Sequence, residues 1–285
     1  MRLCKSASVV VLLAASVAGA QSASDRAWQQ RLQVEIPLPV PLVELESINP
    51  FAVEIDEVPV LSQSTMPRKV NVRGNATVAA FVDSRGVCLG AVPLELPFPG
   101  LTSSIVQDFT GSRFDPASAG TVPQSSWVVL EVSMEGRVKE ATIVDQSLEM
   151  PSLGAPPVPN EPPVMNPPGN LRNLQATPHA QLSSLAAPRR IKIKAPGRDD
   201  EIHLRALVHI TENGRTDTYV PLEIYEGLNT WFSAFLASWR AKPASRDGAP
   251  VASWVVYSAR FRMELSGLDS ASIRVVRDRE YTPAP

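Results

Sequence analysis

The chain has 285 residues, of which 44% are hydrophobic, and a formal net charge of -2. This length exceeds that of one small domain and predicts two small cores. The near-neutral charge excludes a global basic field, so nucleic acid is not an expected partner. The 27 prolines are about twice the average share and are locally concentrated, which indicates linkers.

Residues 1–20 have the pattern of a secretory signal peptide, with basic residues at Arg2 and Lys5, an apolar run and small residues up to Ala20. The apolar run is too short for a permanent transmembrane helix. We therefore expect cleavage after Ala20 and a periplasmic or secreted protein of the bacterial cell envelope.

Cleavage would remove Cys4 and leave Cys88 as the single cysteine, which cannot form an internal disulfide. Cys88 is either a reactive or intermolecular thiol or, as we prefer, a small buried side chain in a strand.

Residues 21–66 are acidic, and their prolines stand between alternating apolar residues. This pattern predicts an extended or polyproline segment rather than a helix. The segment is either a linker or an edge strand that lies along a neighbouring domain, and the sequence leaves both alternatives open.

Residues 67–147 are predicted to form the first domain. The alternation after Val72 and the turn residues 84–86 predict a β-hairpin, and an amphipathic helix follows at 101–109. A strand is expected from Ser126 to Ser133. The residues 135–137 are predicted to turn the chain into a fourth strand at 138–144.

Residues 148–188 are rich in proline and are predicted to be a semi-rigid linker that holds its neighbours apart. A docking ligand for aromatic grooves is the less favoured alternative. The linker ends in a basic cluster, which is a candidate contact for an anionic surface such as lipid headgroups or a cell-wall polymer. We prefer to interpret the cluster as a solvated basic strand or as an electrostatic partner of the acidic segment 21–66. The cluster comprises Arg189, Arg190, Lys192, Lys194 and Arg198.

Residues 189–278 are predicted to form the second domain, followed by a tail at 279–285. Its hairpin turns near Gly214, and a helix begins at Leu228 with one continuous apolar face that extends to Trp239. Pro243 is expected to end this helix. An aromatic and β-branched strand follows at 254–257.

The two domains repeat each other at a shift of 127 to 128 residues. The shift aligns Pro93 to Glu95 with Pro221 to Glu223, and Ser126 to Val129 with Ser253 to Val256. Matches in register over some sixty residues indicate an internal duplication. The predicted fold class is α+β, with two antiparallel sheets of three to four strands, each covered by one helix and joined by the linker.

Residues 239–251 resemble the segment that follows the helix in the C-terminal domain of TonB, and the first repeat has a degenerate copy of it. The signature residues are Trp239, Arg240, Pro243, Ala244, Gly248, Pro250 and Trp254, with Arg113, Pro116 and Trp127 in the first copy. The resemblance implies a sheet whose edge pairs with an extended peptide. The removable signal and the missing tyrosine-proline pair depart from the family, so coupling to an inner-membrane motor is not implied.

The sequence offers no constellation for catalysis. Its three histidines are His179, in the linker, and His203 and His209, which would lie about 20 Å apart along one strand and could not share a metal. No phosphate-binding loop or nucleophile elbow is present. We therefore expect a protein that is not an enzyme and that needs no cofactor or metal.

Two functions remain open. The first is binding of an envelope protein, an extended peptide or a second copy of the chain by β-strand addition. The alternative is binding of peptidoglycan or another polysaccharide. Four tryptophans could stack on sugars in that case, although we prefer to place them in the core: Trp127, Trp231, Trp239 and Trp254.

Overall fold

The structure, a computed structural model, describes residues 40–98, 100–152, 171, 174–193 and 199–283, without the side chains of 199, 200, 267–269 and 271. The predicted signal peptide, the first part of the 21–66 segment, most of the proline-rich linker, Lys194 and Arg198 lie outside the described residues.

The main feature is a six-stranded antiparallel sheet to which both repeats contribute three strands. Its strands, in spatial order, are β10 Thr216–Glu223, β9 Asp199–Ile210, β14 Ser253–Val275, β7 Ser126–Glu149, β2 Val70–Val82 and β3 Cys88–Glu95. Alternating apolar residues build these strands, because every second side chain then reaches the same face.

The two repeats meet where β7 pairs antiparallel with β14. The pair Tyr257–Leu148 lies near one end of this ladder and the pair Val275–Leu130 lies at the other, and the repeat shift converts one pair into the other. The joined halves are therefore related by an approximate internal twofold. The prediction of two separate sheets with separate cores is wrong, because the inner strand of each repeat is the neighbour of the other.

The predicted turn at 135–137 is also wrong, since β7 runs without interruption through these residues. Gly136 pairs with Val72 of β2, and Glu135 pairs with Arg73 on the same side and with Asp269 of β14 on the other. A strand with partners on both sides remains extended despite a local turn signal.

Both helices lie on one face of the sheet and share one hydrophobic core. They are α1 Leu101–Phe109 and α2 Asn229–Ala237. The core combines side chains of both repeats, such as Phe109 and Val128 from the first with Phe235 and Tyr257 from the second. The indole of Trp231 on α2 also donates a hydrogen bond across the repeats to the carbonyl of Pro67, at 3.2 Å.

The helix α2 ends earlier than the sequence predicts. Its last residue is Ala237, and the amide of Trp239 donates to the carbonyl of Leu236 in a tighter final turn. The chain then extends into a short strand at Arg240, so the helix ends before Pro243 is reached. Trp239 nevertheless stays in the core, with 1% of its surface exposed.

Three short strands follow each helix. Two of them form a small hairpin in each repeat, and one pairs with an incoming strand. In the first repeat these are β4 Phe114–Asp115, β5 Ala117–Ala119 and β6 Val122–Gln124, with β8 Ala187–Pro188 as the incoming strand. In the second they are β11 Arg240–Lys242, β12 Ala244–Arg246 and β13 Ala249–Val251, with β1 Val60–Gln63 incoming.

The incoming strands belong to two arms that the repeats exchange. We call residues 40–63 the first arm and residues 174–190 the second arm. The first arm precedes the first repeat but pairs with the second, as Leu61 with Ala241. The second arm precedes the second repeat but pairs with the first, as Pro188 with Phe114. The described part of the predicted linker therefore packs on a repeat and does not act as a spacer.

The hairpin turns require glycine because the strand after each helix crosses them closely. Gly214 has a φ of 67°, and the amide of Ala241 donates to its carbonyl at 2.9 Å. A Cβ on Gly214 would collide with the carbonyl oxygen of Ala241. Gly86 has the same relation to Phe114 in the first repeat.

We expect G214A to destabilise the fold far more than G248A. Gly248 has a φ of 77° but open space around its Cβ position, so this control isolates the cost of the left-handed backbone, about 1–2 kcal/mol. The collision with Ala241 should at least double that cost for G214A. Urea unfolding of both variants measures the difference, and equal losses of stability would contradict the close crossing.

Candidate functional site

The outer strand β10 already carries an added strand, contributed by the first arm. Leu42 forms a parallel bridge with Tyr219. The amide of Tyr219 donates to the carbonyl of Pro41 at 3.1 Å, and the amide of Val43 donates to the carbonyl of Tyr219 at 2.9 Å. This is the backbone pattern of strand addition.

Side chains of the second repeat hold the arm by its carbonyl groups. The hydroxyl of Ser233 on α2 donates to the carbonyl of Val40 at 2.5 Å, and that of Thr218 donates to the carbonyl of Pro41 at 3.0 Å. Val40 itself is buried, whereas 52% of Leu42 is exposed. The contact therefore recognises an extended backbone and one small apolar side chain.

The opposite outer strand, β3, does not present an open edge either. Ala91 is 0% exposed and Val92 is 1% exposed. The amide of Cys88 donates to the carbonyl of Ser112 at 3.0 Å at the start of the strand. Pro93 and its repeat equivalent Pro221 lack an N–H, which hinders further pairing at both outer strands. The expected open edges are thus covered at these positions.

The signature residues of the TonB resemblance lie in the short hairpins and in the residues next to them. Ala244 and Trp239 are buried, and the Arg240 carbonyl accepts a hydrogen bond from Ser62 of the first arm. Pro250 pairs with Ser245, and Gly248 forms the turn between them. In the first repeat, Arg113 bridges to Val87 and accepts from the amide of Arg189, Pro116 lies close to Gly86, and Trp127 is buried.

Opposite charges join each arm to its hairpin. In the acidic first arm, Glu57 lies 2.7 Å from Lys242, and Glu54 lies 3.7 Å from Arg246. The hydrogen bond and charge of Lys242 hold the pKa of Glu57 below its usual range. In the basic second arm, Arg189 pairs with Asp115 at 2.7 Å.

The basic cluster was expected to pair with the acidic segment. These ion pairs correct that expectation, since the acidic first arm and the basic second arm bind different hairpins. The described members of the cluster, Arg189, Arg190 and Lys192, are all exposed.

Three of the four tryptophans cannot serve as an open sugar platform. At most 3% of each is exposed in Trp231, Trp239 and Trp127. These three therefore lie in the interior, where we prefer to place them from the sequence. Trp254 is half-buried on the face opposite the helices, where its ring lies 5.0 Å from that of His209.

A Ser-His-Glu group that the sequence did not predict lies on the exposed sheet face. His203 lies 2.8 Å from the hydroxyl of Ser258 through Nε2 and 3.4 Å from Glu223 through Nδ1. Cross-strand neighbours create this group, so linear spacing gave no signal for it. The strand around Ser258 pairs with β7 and β9 on both sides, which commits the backbone amides that an oxyanion hole would use. The group therefore forms a polar network on the sheet.

No family model matches the chain, and no curated protein or solved structure matches it either. Neither helix in the described part of the chain is long and apolar enough to cross a membrane. Among the described residues, no group of three or more His, Cys, Asp or Glu side chains is placed to hold a metal ion.

Cys88 is buried in β3, and its thiol donates to the carbonyl of Gly90 at 3.3 Å. Burial raises the pKa of this thiol to about 11 from an ordinary value of 9.0. The fold therefore favours the neutral thiol, and we expect stability to fall as pH rises from 9.0 towards 11. Urea unfolding of the wild type and C88A across this range measures the effect, which should be smaller in C88A.

A disulfide reagent at pH 8 should also react with Cys88 only as the chain unfolds. A chain carrying C88A and T121C provides the control, because Thr121 is exposed and its replacement should react at once. Rapid labelling of native Cys88 would contradict its burial.

Proposed function

We propose that this is an exported, non-enzymatic protein of the bacterial envelope that binds an extended peptide of another protein by β-strand addition at β10. The supporting observation is the pairing of Pro41 and Val43 with Tyr219, in which the chain's own first arm occupies the strand-addition position. A partner peptide would take the place of this arm. Export rests on the signal-peptide pattern of residues 1–20.

The arm is suited to exchange because its pairing with β10 is short. A single bridge joins Leu42 to Tyr219, and the bonds from Ser233 and Thr218 reach carbonyl groups that any peptide has. Each such hydrogen bond contributes about 1 kcal/mol net, so a peptide with a few additional contacts can compete.

The geometry defines the peptide that fits. It needs a small apolar residue at the position of Val40, which is buried, and a donor N–H at the position of Val43. The residue at the position of Leu42 is free to vary, because its side chain is half exposed. We further propose that each repeat is a TonB C-terminal-like unit and that the two are fused as an internal pair.

A peptide with the sequence of residues 38–46 tests the proposal. We expect it to bind a shortened chain that begins at residue 47, and to bind the full chain more weakly because the resident arm competes. The change V43P in the peptide removes the amide that donates to Tyr219 and should weaken binding at least about fivefold. Fluorescence anisotropy of the labelled peptide measures each affinity.

The matched control is L42P, which also introduces a proline but removes an amide that makes no bond to Tyr219. It should bind like the unmodified peptide. Equal binding of the V43P and L42P peptides would contradict strand addition. Retention of the full chain on purified peptidoglycan, with no competition by the peptide, would favour wall binding instead.

A further inference from the structure

A cavity of about 310 Å³ lies on the sheet face opposite the helices, in the first repeat. Three separate segments form its walls: the start of β7 with Trp127, the second arm at 174–179, and the tail at 280–283. Its volume lies at the lower end of the range for small-molecule sites.

Each wall is held in place by specific hydrogen bonds. The amide of Thr177 donates to the carbonyl of Ser125 at 2.8 Å and fixes the second arm. The amide of His179 donates to Glu280 at 3.0 Å and joins the arm to the tail. These bonds indicate a built cavity rather than a gap between loose loops.

Trp127 contributes to the cavity wall but is itself largely buried. Trp127 is 3% exposed, and its indole N–H makes no hydrogen bond within the described residues. The indole nitrogen has almost no accessible surface, so the polar contacts to a ligand come from other residues of the lining. The Nε2 of His179 donates to the Trp127 carbonyl at 2.9 Å, which leaves Nδ1 as an acceptor in the neutral ring.

The charge and aromatic character of the lining favour a cationic ligand. Glu280 is the acidic residue of the lining, and no lysine or arginine is among the described lining residues. The rings of Trp127 and Tyr281 lie 4.9 Å apart in an edge-to-face arrangement. A carboxylate beside two aromatic rings attracts an ammonium group and disfavours carboxylates and phosphates. Burial raises the pKa of Tyr281, so its phenol remains neutral.

The cavity also breaks the internal symmetry of the molecule. The equivalent face of the second repeat, around Trp254, is covered by Val43, Leu45 and Ile48 of the first arm. Tyr281 from the tail packs only on the first-repeat cluster among the described residues. The tail therefore adds a third wall to the cavity on the first-repeat side of an otherwise duplicated scaffold.

We propose that this cavity binds a small ligand with an amino group and an aromatic or other apolar part. Glu280 and Nδ1 of His179 face the amino group, and the ring of Tyr281 with the exposed part of Trp127 contacts the apolar part. This site is separate from the strand-addition position on β10, so either proposal can fail without the other.

Phenylalaninamide is the probe, since it has an ammonium group, an amide carbonyl and an aromatic ring. Two relatives are the controls: N-acetylphenylalaninamide lacks the charge, and N-acetylphenylalanine is an anion. With the full chain, calorimetry should show binding of the probe about tenfold tighter than the neutral relative, and no binding of the anion. The indole N–H resonance of Trp127, assigned by its loss in W127F, should shift.

The variant E280Q should weaken binding of phenylalaninamide about tenfold and leave the neutral relative unaffected. D278N is the matched control, because Asp278 is an exposed carboxylate of the same tail outside the cavity lining. Equal binding of the anion and the probe, an unchanged E280Q, or no binding of any of the three would overturn the proposal.

The amino group can come from a free small molecule or from the amino terminus of a peptide. The tripeptide amide Phe-Ala-Ala-amide separates these sources. Affinity equal to that of phenylalaninamide supports the site with a peptide terminus as its ligand. Loss of binding with the tripeptide, alongside retained binding of phenylalaninamide, supports the site with a free amine.

Discussion

The fold depends on the antiparallel pairing of β7 with β14. This ladder removes the inner edge of each repeat and aligns the three strands of one half with those of the other. Because the pairing is antiparallel, the internal twofold brings both helices to the same face, where their side chains fill one core. Without this pairing, the two inner edges of the duplicated sequence would be open to other molecules. In this chain they pair with each other.

The exchange of arms follows from the same symmetry. Each arm crosses to the half that it does not precede, and its charge matches the hairpin that it meets: Glu57 meets Lys242, and Arg189 meets Asp115. Exposed ion pairs of this kind add little stability. Their arrangement contributes specificity, since an arm placed on its own repeat would set Glu57 near Asp115 and Arg189 near Lys242.

Local features of the fold could be predicted from the sequence, and its assembly could not. The hairpins and α1 follow from alternating or helical apolar patterns and from glycines such as Gly86, which are short-range signals. Whether two equivalent edges pair with each other is not encoded in any local pattern, and Gly136 gave a false turn signal because its partners lie in other segments. The Ser258 group and the Trp127 cavity were missed for the same reason, since each joins segments far apart in sequence.

Native-state hydrogen exchange on F235L tests the shared core most directly. Phe235 lies in the second repeat and is fully buried, so the change should lower global stability by about 1 kcal/mol. We predict that the slowest amides of β2 and β3 lose as much protection as those of β9 and β10, because one opening exposes both. Unchanged protection in β2 and β3 would show that the halves unfold separately and would contradict the account.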